Sequence, residues 1–456
     1  MNSHTKILER ALHLHVPARA ATAAAMLMLA AGASAQCAAT DVYAAPYSAT
    51  TGDLPMGAAT GDLNNDGFID VVTANNFGHS ASILYGNGDG TLQAAIDIDA
   101  VEPGSIETVG VLQAGIADFN GDGWNDIALG VQSPDLGNVG IGILINDGAG
   151  GFSGPPTYYA FSTQLRGLEI ADMTGDGELD IIYANRDDDT LNIVPGFGDG
   201  TFDDEIFIDF PGGPVGVALA DYNNDGHLDV AAPMVFSNEI LIAIGDSNGN
   251  LTELNRFSAD GPEGIAVGDI NGDGFEDLAI PFLNGDSVEY FLGNGDGTFG
   301  AKQTINTGAS SLPIAIALGD ANHDGFDDIH AGLFIANAVQ VLLSNGDGTF
   351  QAGENFPVGA RPRHFTFGDL DGNGNDDLVA ANGATSGTVT VLLNACTGAE
   401  PCLADTNGDG MVSPADFSAW VAQFNSNGPL CDQNNDGMCS PADFSAWVAN
   451  YNAGCN

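Results

Sequence analysis

Positively charged residues are scarce in this sequence. Only 9 of its 456 residues are Lys or Arg, against 61 Asp and Glu, and the formal net charge is −52. A nucleic-acid-binding protein needs a basic surface, so that class is excluded, and the same charge disfavours an anionic membrane surface as a partner. Charged residues nevertheless make up only 15% of the chain and hydrophobic residues 44%. This balance excludes an acidic disordered protein.

The sequence also lacks an apolar run of the ~20 residues needed to cross a membrane. A shorter apolar run, residues 20–31, follows three basic residues and precedes the small-residue cleavage pattern Ala33-Ser34-Ala35. This arrangement predicts a signal peptide over residues 1–35 and no transmembrane span. A membrane anchor is one alternative, but the run is too short to span a bilayer. A lipoprotein is the other, but Gln36 directly before Cys37 fits a lipobox poorly. The predicted location is therefore extracellular or at the cell surface.

Cysteine is rare too. An even number of cysteines in an exported chain predicts disulfides, although the sequence leaves their pairing open. Two cysteines bracket one long cysteine-free stretch, whereas the other four fall within the last 55 residues, which predicts two domains. The six are Cys37, Cys396, Cys402, Cys431, Cys439 and Cys455.

What the sequence has in abundance is one nine-residue pattern, Asp-x-(Asn/Asp)-x-Asp-Gly-x-x-Asp. Successive copies start 56, 54, 49, 48, 51 and 49 residues apart. The seven copies occupy residues 62–70, 118–126, 172–180, 221–229, 269–277, 320–328 and 369–377. Each lies between short β-type runs, and a Gly-Asn-Gly-Asp-Gly turn such as residues 293–297 leads into a fourth run. Asn-Gly and Asp-Gly steps between apolar runs predict hairpins.

Four short strands in each repeat of about 50 residues are typical of a β-propeller blade. Seven repeats therefore predict an all-β fold, a seven-bladed β-propeller over residues 36–396. The seventh repeat stops at residues 391–394 without an outer strand. Residues 41–53 are predicted to supply that strand, which would close the ring and remove its free sheet edges. A Cys37–Cys396 disulfide would then staple the closure.

The repeats resemble the FG-GAP family in its VCBS-type form, known from integrin α-chain heads and many bacterial secreted proteins. The run from Val267 to Gly274, with Asp277 and the later turn Gly-Asn-Gly-Asp-Gly-Thr-Phe, carries the resemblance. It covers roughly residues 41–394.

Each loop presents carboxylate or amide oxygens at positions 1, 3, 5 and 9, and Gly at position 6 permits the sharp turn that lets them converge. Ca²⁺ takes about 6–8 oxygen ligands, and converging carboxylates without a cation would repel each other. Asx-rich turns without a metal are the alternative. Two loops depart from the pattern, with Thr174 at position 3 and Asn373 at position 5. The resemblance implies the ligands Asp62, Asn64, Asp66, Asp70, Asp118, Asn120, Asp122, Asp126, Asp172, Thr174, Asp176, Asp180, Asp221, Asn223, Asp225, Asp229, Asp269, Asn271, Asp273, Asp277, Asp320, Asn322, Asp324, Asp328, Asp369, Asp371, Asn373 and Asp377.

Residues 397–456 follow another pattern, two twelve-residue loops that fit the EF-hand ligand rule with Asp at position 12. Each precedes apolar residues at helical spacing, for example Phe417, Trp420, Val421 and Phe424. With the nine-residue loops they predict up to about nine Ca²⁺ sites. Their predicted ligands are Asp405, Asn407, Asp409, Met411, Ser413, Asp416, Asp432, Asn434, Asp436, Met438, Ser440 and Asp443.

These two loop-helix halves resemble a type I dockerin of the variant group that ends in Gly-Cys, here Gly454-Cys455. The resemblance implies a small all-α domain that docks to a cohesin-like partner or surface scaffold. Loop positions 10 and 11 are Pro414-Ala415 and Pro441-Ala442, not the hydroxyl residues common in cellulosomal members. Ordinary cohesin binding is therefore less well supported than calcium binding.

Catalytic motifs are weak. The run from Gly245 to Gly249 fits the hydrolase elbow G-x-S-x-G but falls at a predicted hairpin turn, and the histidines lack H-E-x-x-H spacing. We therefore predict a secreted, non-enzymatic, calcium-binding module for recognition of a glycan or protein, or for adhesion. A polysaccharide lyase or glycoside hydrolase built on the propeller is the alternative, as is a structural adhesin.

Overall fold

The computed structural model describes residues 37–100, 110–132, 139–152, 155–162, 165–283, 285–396 and 420–421. The chain divides into two units, Gln36–Glu400 and a second unit made of Met1–Ala35 and Pro401–Asn456. The second unit is described only at Trp420 and Val421, which are helical, and Trp420 is buried. Within the described ranges no helix is long and apolar enough to cross a membrane.

Within the described residues, 28 strands form seven four-stranded antiparallel sheets. A short 3-10 helix, Ala39–Asp41, and strand β1, Tyr47–Thr50, precede the first complete sheet. The strands of blades one to four are β2 Pro55–Gly61, β3 Asp70–Asn75, β4 Ser80–Leu84, β5 Ile96–Asp99, β6 Gly110–Ala117, β7 Asp126–Gln132, β8 Val139–Leu144, β9 Thr157–Ser162, β10 Leu165–Ala171, β11 Asp180–Asn185, β12 Thr190–Val194, β13 Ile206–Asp209, β14 Ala218–Ala220, β15 Asp229–Met234, β16 Glu239–Gly245 and β17 Leu251–Ser258. Those of blades five to seven are β18 Ala266–Gly268, β19 Asp277–Phe282, β20 Ser287–Phe291, β21 Gln303–Asn306, β22 Pro313–Gly319, β23 Asp328–Leu333, β24 Ala338–Leu342, β25 Glu354–Pro357, β26 Pro362–Gly368, β27 Asp377–Asn382 and β28 Thr388–Leu392.

The middle strands of each blade are short apolar runs because both of their faces are covered by neighbouring blades. Strands β11 and β12 are buried at every residue, whereas the outer strand β13 is mostly exposed. The core accordingly consists of seven clusters, each made by residues of two adjacent blades. One of them joins Val71 and Leu84 of the first blade to Val379 and Val391 of the seventh. Apolar burial between blades therefore continues around the whole ring.

The ring closes because a strand from the start of the chain joins the seventh blade, as the sequence predicts. Strand β1 pairs antiparallel with β28, with Tyr47 opposite Val391 and Thr50 opposite Thr388, and becomes the outer strand of the seventh blade. Residues 41–53 thus supply the missing strand, and this prediction is confirmed. The structure also brings Cys37 and Cys396 together, with Cα atoms 5.7 Å apart, within the range of a disulfide.

The connections define two faces of the ring. The nine-residue loops join the first strand of each blade to the second, so all seven emerge at one end, which we call the loop face. The turns between second and third strands, together with the beginnings of the first strands, lie at the opposite end, the turn face. First strands face the axis, since β2 contacts β6 on one side and β26 on the other.

Candidate functional site

Each nine-residue loop folds around its first residue. In all seven loops a carboxylate oxygen at position 1 accepts a hydrogen bond from the backbone N–H of the glycine at position 6, as between Asp62 Oδ2 and Gly67 N at 2.9 Å. These glycines have φ between 84° and 93°, a region that glycine adopts without steric cost. The predicted function of position 6 as the turning point is confirmed.

The aspartate at position 9 is fully buried in every loop. One oxygen of Asp70 accepts from the N–H of Leu63 at 2.8 Å, and the other accepts from the N–H of Gly86 at 2.7 Å. The other six loops repeat both bonds, one from the N–H of position 2 and one from an N–H at the end of the third strand or two residues beyond it. Position 9 therefore fastens the loop to its blade, a structural function that the sequence pattern did not reveal. Its ligand function stays a prediction.

Positions 3 and 5 contact each other inside the loop. In four loops the side-chain amide of Asn at position 3 donates to the carboxylate at position 5, as from Asn64 Nδ2 to Asp66 Oδ2 at 3.0 Å. The backbone N–H of Asp66 donates back to Asn64 Oδ1 at 2.9 Å. The structure thus brings together the side chains of positions 1, 3 and 5 in one hydrogen-bonded turn.

The two loops that depart from the pattern keep the same path. In the third, the N–H of Thr174 donates to Asp180 at 2.9 Å, and the N–H of Gly175 donates to Asp172 at 2.7 Å. In the seventh, oxygens of Asp369, Asp371 and Asp377 all lie within 4.8 Å of one another. The seventh loop therefore keeps three carboxylates, because Asp371 at position 3 supplies the one that Asn373 at position 5 lacks.

Burial of the position-9 carboxylates, and to a lesser extent crowding, opposes their ionisation. Burial is the main cause that raises the pKa of Asp70 to about 6, its two backbone hydrogen bonds act against the shift, and the charges of Asp66 and Asp62 add to it. The equivalent pKa is raised to about 7 at Asp277 and to about 8 at Asp328. A cation at the loop would favour the ionised forms.

The donor set fits a hard cation in a further respect. Asp62 Oδ1 is buried, and no described group donates a hydrogen bond to it. Buried carboxylate oxygens normally have a partner, so this oxygen has a lone pair available for a metal. The predicted ligand atoms are all oxygens, which is the donor type that Ca²⁺ prefers. The ligands predicted in the two twelve-residue loops, from Asp405 to Asp443, lie outside the described residues.

A cavity of about 510 Å³ lies on the ring axis at the turn face. We call it the channel mouth. All seven blades line it with the residue six positions before each nine-residue loop, namely Met56, Leu112, Arg166, Val215, Glu263, Ile314 and Arg363. In four blades a shift in strand register skips this residue, as it skips Arg363 between Pro362 and His364, and in the third blade it skips the next residue, Gly167. Such bulges change the direction of a side chain.

Basic residues are concentrated at the channel mouth. Six basic residues follow residue 35, and three of them, Arg166, Arg186 and Arg363, line the cavity. Arg186 pairs with Asp187, whereas Arg166 and Arg363 form no ion pair with any described residue. Burial lowers the pKa of both, and neighbouring arginines lower it further, while Glu263 acts in the opposite direction.

Aromatic and acidic side chains complete this site. The guanidinium of Arg363 lies 4.6 Å from the ring centre of Phe334, a cation–π contact, and its buried Nε has no hydrogen-bond partner among the described groups. Phe236, which also lines the cavity, is 63% exposed. The side chain of Glu169 is exposed at the cavity. The protein around it nevertheless lowers its access to solvent, and this desolvation raises its pKa to about 7.

Sequence reasoning missed the channel mouth. Arg166 and Arg363 are almost 200 residues apart in the chain, and only the ring brings them together. A signal was nevertheless present, because both occupy the same position of their repeats and basic residues are rare.

The segment from Gly245 to Gly249 that fits G-x-S-x-G lies in a turn, as predicted, since Ser247 is exposed in the turn between β16 and β17.

Comparison with known families identifies the repeat. Five segments match the model described as FG-GAP-like repeat, residues 62–129, 118–183, 172–232, 281–331 and 333–380, which together exceed half of the chain. The chain belongs to the FG-GAP-like repeat family. The first three FG-GAP segments begin at position 1 of a nine-residue loop. Residues 233–280 lie outside the matched segments, yet the loop at Asp269–Asp277 has the same hydrogen bonds as the others.

Solved structures of BBS1N share the fold of this FG-GAP chain despite low sequence identity. BBS1N in complex with ARL6DN, in crystals soaked with mercury or with lead, has a TM-score of 0.53 and 13% identity, and the match covers 78% of this chain and 98% of that one. A lectin from Agrocybe aegerita, described as recognising non-reducing terminal N-acetylglucosamine, has a TM-score of 0.49 and 19% identity over 75% of this chain and 87% of that one. None of the curated proteins matches the chain.

Proposed function

We propose that this FG-GAP chain is a secreted, calcium-binding recognition protein that holds a glycan or protein ligand at the channel mouth. The observation that carries the proposal is the mouth itself. A concave site of about 510 Å³ falls within the usual size of small-ligand pockets, about 300–1,000 Å³. Its lining combines apolar side chains with a few charged ones, as ligand sites do.

Calcium would serve this function as a structural ion. Positions 1, 3, 5 and 9 of each nine-residue loop would supply its oxygen ligands, and the ion would offset the repulsion between carboxylates. Because the loops connect the first and second strands, calcium would stiffen the inner strands that line the channel. The buried, unpartnered oxygen of Asp62 and the close carboxylates of the seventh loop support this assignment.

The chain termini complete the proposal. Residues 1–35 would direct export, and residues 397–456 would form a dockerin-like domain that attaches the propeller to a cohesin-like partner or another surface scaffold. The sequence patterns of these segments support both assignments. The propeller would then present its turn face to a ligand while the terminal domain holds the protein in place.

A polysaccharide-active enzyme is the second candidate, and Glu169 favours it. This carboxyl lines the channel mouth with a pKa raised to about 7, which is the range suited to a general acid or base at neutral pH. Glu263 provides a second carboxyl in the same cavity. Many glycoside hydrolases use two carboxyl groups to cleave the glycosidic bond.

A glycan and protein array combined with turnover assays tests the proposal. The calcium-loaded protein is expected to bind specific ligands without releasing products. Met56→Trp, which fills part of the mouth, is expected to abolish this binding, whereas Ile96→Trp on the exposed outer strand β5 is expected to preserve it. Cleavage of a bound polysaccharide would favour the enzyme instead. Equal binding by both variants would place the ligand elsewhere.

A further inference from the structure

We propose that the channel mouth selects a short carboxylated saccharide, such as a uronic-acid oligosaccharide or chain end, whose carboxylate binds between Arg166 and Arg363. This inference rests on the proposed function of the mouth as a recognition site and names the chemistry of its ligand.

The distribution of positive charge carries the first step. Four of the six basic residues beyond residue 35 lie at or beside the mouth, because Arg361 adjoins Arg363. The other two lie elsewhere and are paired with carboxylates: Arg256 with Glu239 and Glu253, and Lys302 with Asp260 and Glu289. Although the chain has 61 acidic residues, the two half-buried arginines Arg166 and Arg363 have no such partner among the residues that the structure describes. Desolvated charges of this kind are stabilised when an opposite charge binds.

The geometry of the arginines favours a carboxylate. A guanidinium presents its N–H groups in a planar fork that matches the two oxygens of a carboxylate. The ring of Phe334 packs against the guanidinium of Arg363 at 4.6 Å and limits its movement. Its buried Nε–H has no acceptor in the described part of the chain. The guanidinium is therefore already oriented, and its terminal N–H groups form no ion pair with any described residue.

The acidic neighbours favour a saccharide over an acidic peptide. Glu263 influences both Arg166 and Arg363, so a ligand carboxylate has to share the site with a carboxylate of the protein. A sugar acid carries hydroxyl donors next to its carboxylate, and these can donate to Glu263. An aspartate-rich peptide would instead add further negative charge.

The net charge limits the length of the ligand. At −52 the protein repels a long polyanion, whereas a short acidic chain places its charge only at the mouth. The exposed ring of Phe236 lies at the cavity, and that of Phe77 on another turn of the same face. These rings offer apolar surface to the faces of the sugar.

Isothermal titration of the calcium-loaded protein with tri-galacturonate tests the inference. Saturable binding is expected, and a neutral galactose trisaccharide of the same length is expected to bind at least about tenfold more weakly, as is a penta-aspartate peptide. Arg166→Gln and Arg363→Gln are each expected to weaken tri-galacturonate binding about tenfold or more. Arg363→Lys, which keeps the charge without the fork, should also weaken it.

Arg256→Gln is the matched control, because it removes an arginine from an ion pair outside the mouth and is expected to leave the affinity unchanged. Melting curves show whether each variant is folded, so that a loss of binding is read only from folded protein. Equal affinity for the neutral trisaccharide, preference for the peptide, or full binding by both Gln variants would overturn the inference but not the proposed function. Failure to bind any glycan or protein on the array would overturn the proposed function itself.

Discussion

Two residues of every nine-residue loop have a left-handed backbone. Position 6 is always glycine, and position 4 has φ between 56° and 73° in all seven loops. Asn, Gly or, in one loop, His323 occupies position 4. Glycine and asparagine tolerate this conformation better than other residues. The sequence pattern revealed the first requirement, but it left position 4 undefined because three residue types meet the second.

Replacement of a position-6 glycine tests the backbone requirement. Gly226 has φ of 89°, and a Cβ added there would meet no atom within 4 Å. Gly226→Ala is therefore expected to cost about 1–2 kcal/mol of folding free energy through the backbone alone, measured by urea unfolding with calcium present. Gly300→Ala is the control, since Gly300 lies outside the positive-φ region and an added Cβ would come no closer than 3.4 Å to Leu292 O. Equal losses in both variants would contradict the interpretation.

A histidine at the channel predicts how stability depends on pH. Burial lowers the pKa of His364 from 6.5 to about 4, so between these values the unfolded chain binds a proton that the folded protein does not. The contribution of neutral His364 to the free energy of unfolding is fully present above pH 6.5 and is lost as the pH falls towards 4. His364→Gln should therefore lose about 1–2 kcal/mol less stability than the wild type between pH 7 and pH 5. Parallel stability curves for the two proteins would count against this assignment.

At the scale of elements, the ring depends on a strand borrowed from the start of the chain. Strand β1 completes the blade formed by β26, β27 and β28, and residues 42 and 43 add to the core beneath it. The sequence predicted that β1 joins this blade, because the seventh repeat ends one strand early. By contrast, the bulges in the first strands could not be predicted, since they depend on pairing with the second strands.

The link between Cys37 and Cys396 is expected to hold this closure. The two residues are separated by 359 positions, so a bond between them would strongly restrict the unfolded chain. Cys37→Ser is expected to lower the stability of the oxidised protein by about 2–4 kcal/mol, measured by denaturant unfolding. Reduction is the control, because it should remove the difference between wild type and variant. Peptide mapping that finds either thiol free, or joined to a third cysteine, would rule out the link.

At the scale of the whole molecule, acidity is concentrated in the loops. The nine predicted calcium loops contain 31 of the 61 acidic residues. In the seven propeller loops the structure groups these carboxylates on the loop face, while Arg166, Arg186, Arg361 and Arg363 lie on the turn face. These four basic residues therefore lie at the opposite end of the ring from the predicted metal loops, which is consistent with separate sites for the proposed metal and ligand.

Calcium removal is expected to destabilise the propeller. Ligands that bind only the folded state stabilise it by about 2.7 kcal/mol per site at 100 times the dissociation constant, so EDTA should lower the melting temperature and added Ca²⁺ should restore it. Asp371→Asn is expected to reduce the calcium-dependent increase, because it removes one of three close carboxylates in the seventh loop. Addition of NaCl at equal ionic strength controls for simple screening. Equal melting temperatures with and without calcium would contradict the metal assignment.

The sequence alone determined the fold, the number of blades, the closing strand and the turning point of each loop. These features depend on local periodicity and on glycine at fixed positions, and both recur in every repeat. Only the tertiary structure decided that position 9 anchors its loop through two backbone hydrogen bonds and that Arg166, Glu263 and Arg363 share one cavity. Those contacts join residues from different strands and blades, and their distances are set by the closed ring rather than by neighbours in the chain.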